Sequence, residues 1–229
     1  MVECGIPLKE IYMRAMTTDS NIYISDIKAC LITHAHGDHS KAARDLAKRG
    51  MPIFATKPTL SALNIEGEEL VELQPKRVCD GVSVLAFAVE HDCEGSVGFV
   101  IKTKEECVIF INDHKKWNDN LSAFKPNYVF IECNYFHKVV YAQLYELKKK
   151  TELTMEERQR MKQHERNINA HCSLNGTIKG LKKLNLSRCE FIVLTHLSDR
   201  YANEYEMKNQ VQTATGVRTL VAGKNGGIK

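Results

Sequence analysis

The residues best suited to chemistry stand together in Thr33-His34-Ala35-His36-Gly37-Asp38-His39-Ser40, where three imidazoles and a carboxylate occupy six positions. Crowding of this kind does nothing for packing, because a buried polar group without a partner costs free energy. Imidazole nitrogen and carboxylate oxygen are instead natural ligands of a divalent metal such as zinc. The stretch follows the apolar run Ala29 to Thr33 and precedes a helical pattern, which places it where a strand ends and a helix begins. His34 and His36 alternate along an extended backbone and can face one ion, while Asp38 and His39, on the turn into the helix, can address a second. A solvated His-rich turn is the competing interpretation, and the spacing and placement disfavour it.

Two ions need more ligands, and other apolar runs end in suitable residues. Val84 to Glu90 leads into His91-Asp92, Val108 to Asn112 into Asp113-His114, and Phe191 to Thr195 into His196-Leu197-Ser198-Asp199-Arg200. Tyr128 to Ile131 ends in Glu132, and His171 begins the segment before a later helical pattern. Side chains at the ends of neighbouring strands converge on one rim of a sheet. Any one of these residues is ordinary in a loop; the repeated position is what singles them out.

The elements that must position them read as α/β. Strand-like runs cover Ala29 to Thr33, Pro52 to Ala55, Val82 to Val89, Gly98 to Lys102, Cys107 to Ile111, Tyr128 to Ile131, Phe191 to Thr195 and Val217 to Ala222. Helical patterns cover Ser40 to Arg49, a stretch from Leu174, and Asn203 to Ala214. The span 137–168 is dense in long polar side chains, with eight Lys or Arg against five Glu, and reads as an exposed helical arm. Its Thr154-Met155-Glu156-Glu157 is a capping-box pattern. The arm's basic residues can track a phosphate backbone, or pair with its glutamates along a solvated helix.

With 229 residues, 43% of them hydrophobic and 26% charged, the chain is expected to fold as one domain, 1–229. Its net charge of +4 permits a polyanionic partner without demanding one. No run approaches the length of a membrane helix and no secretory leader is seen, so a cytoplasmic protein without a membrane partner is expected. Eight cysteines without a C-x-x-C pair read as reduced, mostly buried thiols.

The pattern of His34, His36, Asp38 and His39 resembles the H-x-H-x-D-H signature of the metallo-β-lactamase superfamily. His91-Asp92 through Ser96-Val97-Gly98-Phe99, Asn112-Asp113, Glu132-Cys133-Asn134-Tyr135, His171-Cys172-Ser173 and Thr195 to Arg200 are similar to its later motifs, above all those of the branch containing ribonuclease Z and the bacterial and phage WalJ-like exonucleases. The resemblance covers nearly the whole chain and implies a four-layer αββα sandwich. It implies that His34, His36 and His91 hold one metal, Asp38, His39 and His196 a second, with Asp113 between them. Zinc is the expected metal and manganese the other candidate. A water activated between two such ions would attack a phosphodiester of DNA or RNA, with His171, oriented by Glu132, as proton donor to the leaving group. A small-molecule hydrolase acting on a lactone, thioester or amide, and a non-catalytic binding module, are the alternatives.

Family members usually begin with two or more strands before the segment resembled by Val2-Glu3-Cys4-Gly5. A first sheet short of N-terminal strands is therefore expected, with an edge that must be covered or paired with another subunit. His114 is read as an exposed turn residue, with ligation or substrate contact as its other roles. His137 and His164 are read as solvated, and Cys93, Cys133 and Cys172 as small packing residues. Trp117 is equally suited to stacking on a base or to anchoring a loop.

Overall fold

The computed structural model describes residues 1–17, 22–223 and 227–228. Its strands and helices form a mixed α/β fold divided into two compact units, 1–88 with 93–106 and 89–92 with 107–229.

The first unit begins with α1 (Leu8–Thr17), followed by β1 (Cys30–Leu31), α2 (Gly37–Ser40), α3 (Ala43–Lys48), β2 (Ile53–Ala55), α4 (Lys57–Leu63) and β3 (Glu68–Glu69). The three strands are parallel, in the order β1-β2-β3. Residues 1–3 line the other side of β1: Leu31 N–H donates to Met1 O, and Glu3 N–H to Leu31 O, at 2.9 and 2.8 Å. β4 (Lys76–Cys79), β5 (Val82–Glu90) and β6 (Val97–Lys102) follow as an antiparallel meander. Cys30, Ile32, Ala43, Leu46, Ile53 and Ala55 pack into one apolar cluster.

The single helix expected over 40–49 is two helices. Ser40 Oγ donates back to Ala35 O and His36 O, and Ala42 N–H donates to Cys4 O, so the backbone leaves the helical ladder between α2 and α3.

In the second unit β7 (Cys107–Ile111), β8 (Lys116–Trp117), β9 (Tyr128–Glu132), α5 (His137–Lys148), α6 (Met155–Ala170), α7 (Leu174–Leu181), β10 (Phe191–Thr195), α8 (Glu204–Thr215) and β11 (Arg218–Val221) follow in order. β7, β9, β10 and β11 are parallel neighbours, with Ile111 opposite Ile131, Thr195 opposite Glu132 and Leu194 opposite Val221. This register brings the carboxyl ends of β7, β9 and β10 to one level. Ile109, Ile111, Val129, Ile131, Ile192 and Leu194 are fully buried, the near-continuous apolar runs that a parallel sheet covered on both faces requires. Thr154, Ser173 and Asn203 cap α6, α7 and α8 through their side chains.

The 137–168 span is helical and mostly exposed, as its polarity suggests, but both of its helices are also anchored to the interior. α5 buries Val140, Leu144 and Leu147, and α6 buries His164 and Ala170. A few apolar positions suffice to fix each helix, and they are outnumbered in the sequence by solvated ones.

Candidate metal centre

The first unit gathers the 34–39 motif around a carboxylate that motif searching overlooks. Glu3 Oε1 accepts from Thr33 Oγ1, and Glu3 Oε2 lies 2.8 Å from His39 Nδ1. Thr33 Oγ1 is in turn 2.9 Å from His34 Nδ1. With its proton given to Glu3, the Thr33 hydroxyl accepts from Nδ1–H, which leaves His34 Nε2 as the ring's lone-pair nitrogen. His34 Nε2 stands 3.0 Å from His36 Nδ1, and the His34 and His39 rings are 4.3 Å apart. Asp38, on the first turn of α2, is exposed, with a carboxylate oxygen 3.5 Å from His39 Nε2.

Glu3 reaches this position at a cost, since its φ of 60° is a left-handed conformation that side chains other than glycine rarely adopt. Gly5 is required by contact: a Cβ there would lie 1.6 Å from Asp38 O. Substitution would push the N-terminal segment off the motif.

The second unit assembles its cluster from strand ends and one helix cap. Glu132, the last residue of β9, is fully buried, and its Oε1 lies 2.7 Å from His171 Nδ1 and 3.0 Å from His196 Nδ1. Oε2 accepts from the backbone N–H groups of His114 and Cys172. Burial acts to raise this carboxyl's pKa, but the hydrogen bonds from His171 and His196 outweigh it and hold the group well below the usual carboxylate range.

His196 Nδ1 also stands 3.2 Å from Asp113, and His91 Nε2 stands 3.8 Å from the other oxygen of the same carboxylate. His91 Nδ1–H donates to Ala170 O at 2.8 Å, which fixes the ring with Nε2 turned toward Asp113. Burial lowers the His91 pKa and favours the neutral, ligating form. Asp113 and His196 have φ of 44° and 54°, so two strand ends carry backbone strain at the cluster. Asn134 Nδ2 donates to His196 O, and Arg166 Nε to the carboxylate of Asp92 beside His91.

The nine residues expected to ligate metal or donate a proton fall into two clusters: His34, His36, Asp38 and His39 in the first unit, and His91, Asp113, Glu132, His171 and His196 in the second. Donor chemistry fits divalent cations in both. Glu3, His34 and His39 offer ligand atoms within 4.8 Å of one another, as do Asp113, Glu132, His171 and His196. Imidazole and carboxylate at such spacing suit zinc or a similar ion.

Two neighbouring expectations, for His114 and His164, are corrected. His114 is no exposed turn residue: it is fully buried, its ring 5.4 Å from that of Trp117, and burial pushes its pKa down to about 4. Trp117 is buried against Gly180 and His114, so it anchors the interior. His164 is fully buried beside Tyr201 instead of solvated. Its position among charged residues of α6 disguises an inward-facing side chain. Cys133 and Cys172 are buried, and burial pushes both thiols up, Cys133 to about 12, which disfavours a ligating thiolate.

No described helix is long and apolar enough to cross a membrane. No curated protein matches the chain in sequence. Among solved structures, YhfI from Bacillus subtilis, described as a metallo-beta-lactamase fold protein, aligns with a TM-score of 0.69 at 13% identity, covering 100% of this chain and 85% of that one. A diphosphatase from the PhnP family aligns at 0.66 and 14% identity, covering 100% and 77%. Igni18, a metallo hydrolase from Ignicoccus hospitalis, aligns at 0.61 and 17% identity, covering 93% and 83%. These likenesses establish the fold. The model of the beta-lactamase superfamily domain matches residues 13–197, a stretch that includes all nine residues named from the sequence. The chain belongs to the beta-lactamase superfamily.

Proposed function

We propose that the protein is a phosphodiesterase acting on nucleic acid, allied to the ribonuclease Z and WalJ-like branch of the superfamily. In this reading His34, His36 and His91 hold one divalent cation, Asp38, His39 and His196 a second, and Asp113 serves both, with zinc as the metal and manganese the other candidate. Divalent cations there would supply the positive charge that makes water a nucleophile at neutral pH and offsets charge on a phosphoryl group.

The observation that carries the reading is the buried pair Glu132 and His171, 2.7 Å apart. Glu132 accepts from Nδ1–H and fixes the ring. His171 Nε2–H is then the group that donates to a departing alkoxide oxygen. An alkoxide is a poor leaving group unless protonated, and so a phosphodiester benefits from such a donor. A thioester, whose thiolate departs readily, gains less from it, and the diphosphatase description of one structural neighbour agrees with phosphoryl chemistry.

The test is turnover of bis(p-nitrophenyl) phosphate, labelled DNA, labelled RNA and a lactone by the metal-loaded protein. Cleavage of the phosphodiesters is expected, and His171→Ala should slow cleavage of DNA or RNA, which release an alkoxide, more than that of bis(p-nitrophenyl) phosphate, whose nitrophenolate leaves without a proton. Lactone turnover with inert phosphodiesters would overturn the proposal.

A further inference from the structure

Helix α5 buries Val140, Leu144 and Leu147, and on its solvent side it displays two large aromatic residues, Tyr141 at 52% exposure and Tyr145 at 60%. They belong to a longer stripe. The His137 ring stands 6.5 Å from that of Tyr141, nearly edge-on, and Lys149 Nζ stands 4.2 Å from the centroid of Tyr145. Positions 137, 141, 145 and 149 are four residues apart, so each step advances about 6 Å along the helix surface.

The surroundings are basic. Between His137 and Lys150 four lysines face one glutamate, Glu146. Lys148 and Lys149 stand 3.4 Å from Glu165 and Glu146 in exposed pairs, which are weak and readily exchanged for phosphate. The stripe starts five residues after Glu132 in the chain, and His137 Nε2 lies 3.4 Å from Nδ2 of Asn175, on the helix that follows His171.

We propose that α5 is a stacking ladder for single-stranded nucleic acid, with bases on Tyr141 and Tyr145, the backbone against Lys138, Lys148 and Lys149, and the strand led toward Glu132 and His171. The inference rests on the phosphodiesterase reading and specifies its substrate. A step of about 6 Å is nearly twice the roughly 3.4 Å between bases along one strand of a duplex. The ladder therefore suits bases pulled apart, whereas a duplex keeps its base faces stacked and out of reach. Tyrosine faces stack on any base, so little sequence preference is expected.

Fluorescence anisotropy of a short, fluorescein-labelled phosphorothioate oligothymidylate tests this on the purified full chain, with the matching duplex and bis(p-nitrophenyl) phosphate turnover measured alongside. The Tyr141→Ala/Tyr145→Ala variant should bind the strand about tenfold or more weakly. Tyr141→Phe/Tyr145→Phe, which keeps the aromatic faces, should restore binding, and the ratio of cleavage of the unmodified oligothymidylate to small-diester turnover should fall only in the alanine variant. Strand binding that survives the alanine changes, or a duplex bound as tightly as the single strand, would overturn the ladder. So would a protein that turns over the small diester yet ignores the strand, although the phosphodiesterase reading would stand. Tyrosine-dependent strand binding without turnover of any phosphodiester would remove the phosphodiesterase reading and leave the ladder as a binding surface.

Discussion

The His34–His39 motif and the Glu132 cluster contain similar donors but are built in opposite ways. The first is nearly contiguous, a strand end running into α2, with Glu3 brought in from the N-terminal segment to meet Thr33 and His39. The second draws His91, Asp113, Glu132, His171 and His196 from five separate chain segments; the fully buried Glu132 joins His171 to His196, and Asp113 joins His196 to His91. A contiguous cluster is held by local geometry, so a change there should affect ligation more than folding. In an assembled cluster the polar network is part of the core, and partly removing it leaves uncompensated buried groups.

The sharpest test of that contrast is Glu132→Ala, which strips His171 and His196 of a shared acceptor. Loss of about 3 kcal/mol of stability is expected in denaturant unfolding, together with loss of phosphodiester turnover. Glu132→Gln, retaining shape and one acceptor oxygen, should lose less. Unchanged stability in the alanine variant would erase the distinction between the clusters.

The next effect divides ligands from the proton donor. His171→Ala should keep its bound metal by elemental analysis but lose about a hundredfold or more in phosphodiester turnover. His36→Ala should lose metal while melting close to the parent in the metal-free state. Metal loss in His171→Ala would make His171 a ligand.

A smaller effect is expected for Glu3→Gln, in which His39 and Thr33 keep a polar neighbour without its charge. Metal affinity should fall about 10- to 100-fold, the range found when the partner that orients a ligand is removed. An unchanged affinity, measured by competition with a chelator, would reduce Glu3 to a structural contact.

The smallest effect lies outside both clusters. Burial, followed by the charge of Arg160, lowers the His164 pKa from its ordinary value. An unfolded imidazole titrates near about 6.5, so below that pH the unfolded state takes up a proton that the folded state refuses. Its contribution is level above about pH 6.5, and stability declines as the pH falls below it until the folded imidazole also protonates. His164→Leu should flatten part of that decline in melting experiments; an identical slope would assign it to other groups.

The strands around both clusters were legible because fully buried parallel strands are unbroken apolar runs, as in Cys107–Ile111 and Phe191–Thr195. α1, α4 and the short β3 passed unnoticed, since seven to ten residues of mixed polarity or a two-residue strand leave little periodic signal. The burial of His114 and His164 was illegible for another reason: neither neighbouring residues nor spacing reveals which way one imidazole turns.

What the amino-acid sequence determined alone was the inventory and its approximate address: donors in a strand-to-helix turn, and further donors one residue past apolar runs. Those patterns follow from backbone periodicity, which is local. Only the tertiary structure decided that Thr195 pairs with Glu132 in register, that Glu132 serves both His171 and His196, and that Glu3 reaches back to Thr33 and His39. Such partnerships join residues up to 64 positions apart. They exist because strand register and burial force buried charges to find one another, and no periodicity along the chain records that choice.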